Sequence, residues 1–135
     1  MALHTPLEPA MAVQIYQRQA EPKTFAAGEV IFAAGEPGDY MYGVLEGEIE
    51  ELVDGRVMET IVAGDVFGVG ALVHPEGKRV STAVAKTDCK LAYLDQQRFL
   101  YVVQETPMFA VEVVRSYSDR LKKFKKHPLD NSDSQ

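Results

Sequence analysis

From Lys23 to Leu94 the apolar runs are short and are repeatedly cut by glycine turns, and this punctuation restricts the fold more than any other feature of the chain. Val30, Ile31 and Phe32 stand together within Glu29 to Ala33, and Asp39 to Leu45 alternates tyrosine with Met41, Gly43 and Leu45. Glu48 to Val53 sets Ile49, Glu51 and Val53 in alternation, the period of a half-buried strand. Asp54-Gly55 supplies the positive φ of a tight hairpin, and Arg56 to Val62 returns from it. Arg79 to Ala85 and Cys89 to Leu94 complete the set, joined by a turn at Lys86-Thr87-Asp88. Many short strands at close spacing predict a mainly β architecture, a sandwich or jelly-roll barrel, with helices flanking it.

The most informative stretch is Gly64 to Ala85, which reads as a strand end, a glycine turn, one helical turn, a loop and Arg79 opening the next strand. Gly68 and Gly70 let the backbone turn tightly and gather N–H groups on one side. The helical turn adds unpaired donors, and Arg79 brings a guanidinium fork suited to phosphate. Bottom-up, this is a pocket for one small anion. The same residues also suit a plain glycine-rich β-turn with its arginine on a solvated edge.

Phe67-Gly68-x-x-Ala71-Leu72, a loop, then Arg79-Val80-Ser81-Thr82-Ala83-Val84 resembles the phosphate-binding cassette of the cyclic nucleotide-binding domain family. The likeness runs from about Lys23 to Lys126. The resemblance implies a double-stranded β-helix barrel, with an N-terminal helix and two C-terminal helices. It implies Gly68, Val69, Gly70, Ala71, Arg79 and Val80 as ligand-contacting positions, and cAMP or cGMP as ligand. Two positions depart from the family. A glutamate that binds the ribose 2′-hydroxyl usually stands where this chain has Val69, and a small or hydroxyl residue often stands where it has Val80. The phosphate half of the site is thus retained and the ribose half altered. One reading is a sensor for a phosphate-bearing ligand. The other is a degenerate domain that binds no nucleotide and serves as a protein-interaction module.

Outside the barrel the pattern is helical. Leu7 to Gln19 carries a stripe of Leu7, Met11, Ile15 and Tyr16 and is predicted to pack as a helix on the barrel until Pro22. Asp95 caps a helix reaching Gln104, and Thr106-Pro107 opens another from Met108 to Lys126. Ala110, Val114, Tyr117, Leu121 and Phe124 form its seam, expected to lie on the barrel or to make a homodimer. Arg115, Arg120, Lys122, Lys123, Lys125 and Lys126 read as a solvated basic face, with an acidic partner as the alternative. The expected organisation is a helical segment at 1–22, the ligand domain at 23–126 and a disordered tail at 127–135.

Composition excludes several classes. The 135 residues carry a net charge of −6, against general nucleic-acid binding, and hold no apolar run of membrane-spanning length. Cys89 is the only cysteine, so no intrachain disulfide forms and a reducing cytoplasm suits the chain. A cupin-like metalloenzyme needs converging His and carboxylate ligands, but of His4, His74 and His127 only His74 falls in the barrel region, where exposure is expected. The acids Glu46, Glu48, Glu50 and Glu51 read as a solvated strand face. The expectation is a stand-alone, non-enzymatic domain without cofactor, metal or DNA-binding segment.

Overall fold

The computed structural model describes residues 8–17 and 21–126. The predicted tail at 127–135 and Leu7, Arg18 and Gln19 of the predicted N-terminal helix lie outside them. The elements in order are α1 (Pro9–Tyr16), β1 (Lys23–Phe25), β2 (Val30–Phe32), β3 (Tyr40–Glu46), β4 (Ile49–Val53), β5 (Arg56–Ile61) and β6 (Val66–Phe67). They are followed by α2 (Gly70–Val73), β7 (Thr82–Ala85), β8 (Cys89–Asp95), α3 (Gln96–Glu105) and α4 (Pro107–Lys126). The strands form two antiparallel four-stranded sheets, β1-β8-β3-β6 and β2-β7-β4-β5, stacked as a jelly roll with flanking helices. The predicted fold class is the observed one.

Two apolar clusters explain why the strand patterns differ. Between the sheets lie Phe32, Tyr42, Val44, Ile49, Ile61, Phe67, Ala83 and Leu91. On the other face of the β3–β8 pair, Met41, Ala92 and Leu94 meet Val13, Phe99, Val102, Phe109 and Val113 from the helices. β3 is therefore covered on both sides, and Met41 to Val44 form an unbroken buried run. Gly43 permits this layering, since a Cβ there would stand 2.7 Å from the Ala10 Cα of α1.

The same close approach corrects the reading of α1. Its buried residues are Ala10 and Val13, whereas Met11 and Ile15 are exposed. Small Ala10 fits over Gly43, so steric fit overrides the larger apolar stripe. The helix ends at Tyr16, where Gln17 turns extended.

At the other end the predicted boundaries hold. Asp95 accepts from the Arg98 N–H at 2.7 Å as the N-cap of α3, and Pro107 opens α4. The predicted seam of α4 is not the face that lies on the barrel, although Tyr117 packs against the core. Phe109, Glu112, Val113, Ser116 and Arg120 face the protein, while Val114 and Leu121 are more than half exposed. Polar tethers decide the docking face: Ser116 Oγ donates to Asp65 at 2.8 Å, and Arg120 pairs with Glu59 at 2.9 Å. Arg120 is only 8% exposed, so it is no part of a solvated basic face.

Candidate functional site

The cassette begins where β6 ends. Gly68 takes φ +81, the left-handed conformation that turns the chain off the sheet. Gly70 does not share that role, because it is already the first residue of α2. Val69 precedes it in helical conformation. After α2 the loop returns through Gly77 and is held by the connection between β2 and β3. Gly38 N–H donates to Gly77 O, Arg79 N–H to Glu36 O, and Gly35 N–H to Arg79 O, each at 2.8 Å. Arg79 is thereby fixed three residues before β7 rather than at its first position.

This clamping places the guanidinium inside the protein. Arg79 is 6% exposed and lies 3.9 Å over the Phe32 ring. Its Nη1 donates to Gly68 O at 2.7 Å and its Nη2 to Tyr40 O at 2.5 Å, while Nε is buried without a hydrogen-bond partner among the described residues. Two glycines make the slot, since a Cβ on Gly38 would come 2.7 Å from Nε and one on Gly68 2.9 Å from Nη1. Burial pulls the basicity of Arg79 down, opposed by Tyr42 and Glu51 nearby. No carboxylate forms an ion pair with it among the described residues. The expectation of an arginine on a solvated edge is therefore corrected: the guanidinium is a structural element of the cassette.

Gly68, Gly70, Ala71, Arg79 and Val80 line one cavity of about 270 Å³. Val80 stands at its mouth, 87% exposed. Val69 lies apart. Its side chain packs against the helical cluster and lines an apolar groove with Val113 and Val114. Its N–H donates to the Tyr117 hydroxyl of α4 at 3.2 Å, so this backbone donor of the cassette is already engaged. The Gly70 and Ala71 N–H groups, in the first turn of α2, have no partner among the described residues.

Several residues of the cavity were not read from the sequence as site residues. Phe32, Glu51, Glu59, Ser81, Tyr117 and Arg120 all line it. Ser81 had a local signal, two positions beyond Arg79. The others come from distant strands and from α4 and had none. Glu51 also departs from the solvated-acid reading: it is half-buried, bonded by Ser81 Oγ at 2.8 Å, and burial raises its pKa. Glu46 and Glu48 do behave as surface acids, facing Lys90 at 3.5 Å and Lys86 at 3.6 Å. His74 is exposed, with Nδ1 3.0 Å from Gly70 O, and Cys89 is buried. No helix among the described residues is long and apolar enough to cross a membrane.

A jelly-roll barrel with a cavity between its cassette and its last helix defines the class of domain. The chain belongs to the cyclic nucleotide-binding domain family, which matches residues 22–106. It is 28% identical over 122 residues to a CRP-like cAMP-activated global transcriptional regulator of Mycobacterium tuberculosis, covering 87% of this chain and 54% of that protein. Its fold is similar to the Thermus thermophilus catabolite activator protein, with TM-score 0.70 and 24% identity, covering 90% of this chain and 57% of that one. It is also similar to a cAMP-bound PfPKA-R structure, with TM-score 0.65 and 28% identity, covering 83% of this chain and 38% of that one. The chain thus spans about half the length of the curated regulator it matches.

Proposed function

We propose that this domain is a non-enzymatic cytoplasmic sensor that binds a phosphate-bearing small ligand, a cyclic nucleotide such as cAMP or cGMP, in the cavity at Arg79. The observation that carries the reading is a buried guanidinium that borders a cavity and has no carboxylate partner among the described residues. A buried charge costs several kcal/mol unless it is paired, and two backbone carbonyls compensate it only in part. A phosphate entering the cavity would supply the missing counter-charge. It would also compete with the Gly68 and Tyr40 carbonyls for the two Nη groups, and the Gly70 and Ala71 N–H groups would add donors. Membership of the family, and a cAMP-bound structure among its relatives, support the same ligand class.

Regulation would follow through α4. Tyr117 on Val69, Ser116 on Asp65 and Arg120 on Glu59 tie that helix to the cassette and to the strand ahead of it. A ligand shifts such an arrangement only as far as it binds one position of the helix better than the other.

Isothermal titration of the purified protein with cAMP, cGMP and cyclic dinucleotides tests the proposal. Micromolar or tighter binding is expected, weakened about ten- to hundredfold by Arg79→Lys, which keeps the charge and loses the planar fork. Absence of saturable binding at millimolar ligand would refute the sensor. The second reading, a protein-interaction module or homodimer through α4, would then lead, supported by the exposed Val114 and Leu121. Sedimentation of the natural protein against Leu121→Glu would test it.

A further inference from the structure

The inner face of β4 carries a carboxylate where alternation calls for an apolar side chain. Ile49 and Glu51 are two residues apart and share a face of the strand. Ile49 is fully buried, and Glu51 lies along from it, lining the cavity. The register agrees, since Glu51 stands opposite buried Ala83 on β7 and opposite Glu59 on β5. Glu59 is engaged by Arg120 at 2.9 Å. Glu51 accepts from Ser81 Oγ at 2.8 Å and has no ion-pair partner among the described residues.

The cavity wall therefore holds Arg79 on one side and two carboxylates on the other, where Glu59 is paired with Arg120 and Glu51 has no ion-pair partner among the described residues. In the order β2-β7-β4-β5, Arg79 lies over Phe32 of β2, Glu51 is on β4 and Glu59 on β5. Neighbouring strands are about 4.8 Å apart, so β2 and β4 are separated by roughly 10 Å. A nucleotide with its phosphate on Arg79 and its base extended across the sheet would bring that base to Glu51. An ionised carboxylate offers acceptors only. Guanine presents N1–H and the N2 amino group side by side, two donors for two oxygens. Adenine sets the acceptor N1 beside its N6 amino group, so one carboxylate oxygen would face a lone pair.

We propose that Glu51 is the base-selecting residue of this pocket, that the base it selects is guanine, and that the domain prefers cGMP to cAMP. The inference rests on the cyclic nucleotide reading above and goes beyond it in naming the base and the residue that chooses it. Hydrogen bonds to a charged acceptor are worth about ten- to hundredfold in affinity, which sets the scale of the preference.

Calorimetric titration of the natural protein and of Glu51→Gln with cGMP and with cAMP tests it, with thermal unfolding confirming that the variant is folded. The natural protein is expected to bind cGMP at least about tenfold tighter than cAMP, and Glu51→Gln to bring the ratio close to one. The near-isosteric amide keeps an acceptor for Ser81 and breaks the two-acceptor pattern. If cAMP binds as tightly as cGMP, or if the preference survives in Glu51→Gln, base selection by Glu51 is wrong while the phosphate pocket stands. If neither nucleotide binds, both readings fall together.

Discussion

Replacing Arg79 by alanine would test whether the guanidinium is part of the fold as well as of the pocket. The substitution removes two charged-donor hydrogen bonds to Gly68 O and Tyr40 O and the stack on Phe32. The two bonds contribute roughly 3–6 kcal/mol together and the desolvated ring contact about 1–2 kcal/mol. Against this, the variant no longer desolvates a cation, which returns several kcal/mol. Water entering from the adjoining cavity also rescues part of what the carbonyls lose. The net expectation is a loss of about 2–4 kcal/mol, a Tm lower by about 8–15 °C for a domain of this size. Differential scanning calorimetry without ligand measures it, and circular dichroism confirms that the variant is folded below its Tm. A Tm within about 2 °C of the natural protein would show that the clamp around Arg79 does not stabilise the cassette. Because one side chain serves both fold and ligand, lost binding in Arg79→Ala would be ambiguous, and Arg79→Lys is the cleaner probe of the pocket.

Arg120→Met should cost about 2–3 kcal/mol in urea denaturation, because it leaves Glu59 without its partner and Ser116 Oγ without the Nη1 donor at 2.7 Å. A loss below about 0.5 kcal/mol would mean that the Arg120–Glu59 pair does not help to hold α4. Glu51 gives a pH test, since burial raises its folded pKa above the ordinary 4.5. The folded state then binds the proton more tightly, so stability falls as pH climbs from 4.5 toward the raised value and stays lowered above it. Glu51→Gln should remove that fall and be more stable than the natural protein above the window, as chemical denaturation between pH 4 and pH 8 would read. Equal pH dependence of the two proteins would contradict the burial of Glu51.

Sequence alone determined a mainly β domain of short strands and where along the chain they fall, because turn chemistry and strand alternation are local. Asp54 at φ 52 followed by Gly55 makes the β4–β5 hairpin, and Asp95 and Pro107 open their helices, each through groups a few residues apart. The cassette was legible for the same reason, as glycines and an arginine within one short segment. Tertiary structure decided which side of each element meets the rest. Met11 and Ile15 are the larger apolar residues of α1, yet Ala10 is buried because Gly43, far along the chain, leaves space only for a small partner. Hydropathy likewise assigns Val114 and Leu121 to the inner face of α4, but Ser116 and Arg120 are drawn inward by Asp65 and Glu59. Charge complementarity across 50 or more residues has no signature in a periodicity. The cavity shows this most clearly, since Arg79 is written in the cassette while Glu51, Tyr117 and Arg120 reach it only when the sheets stack and α4 docks.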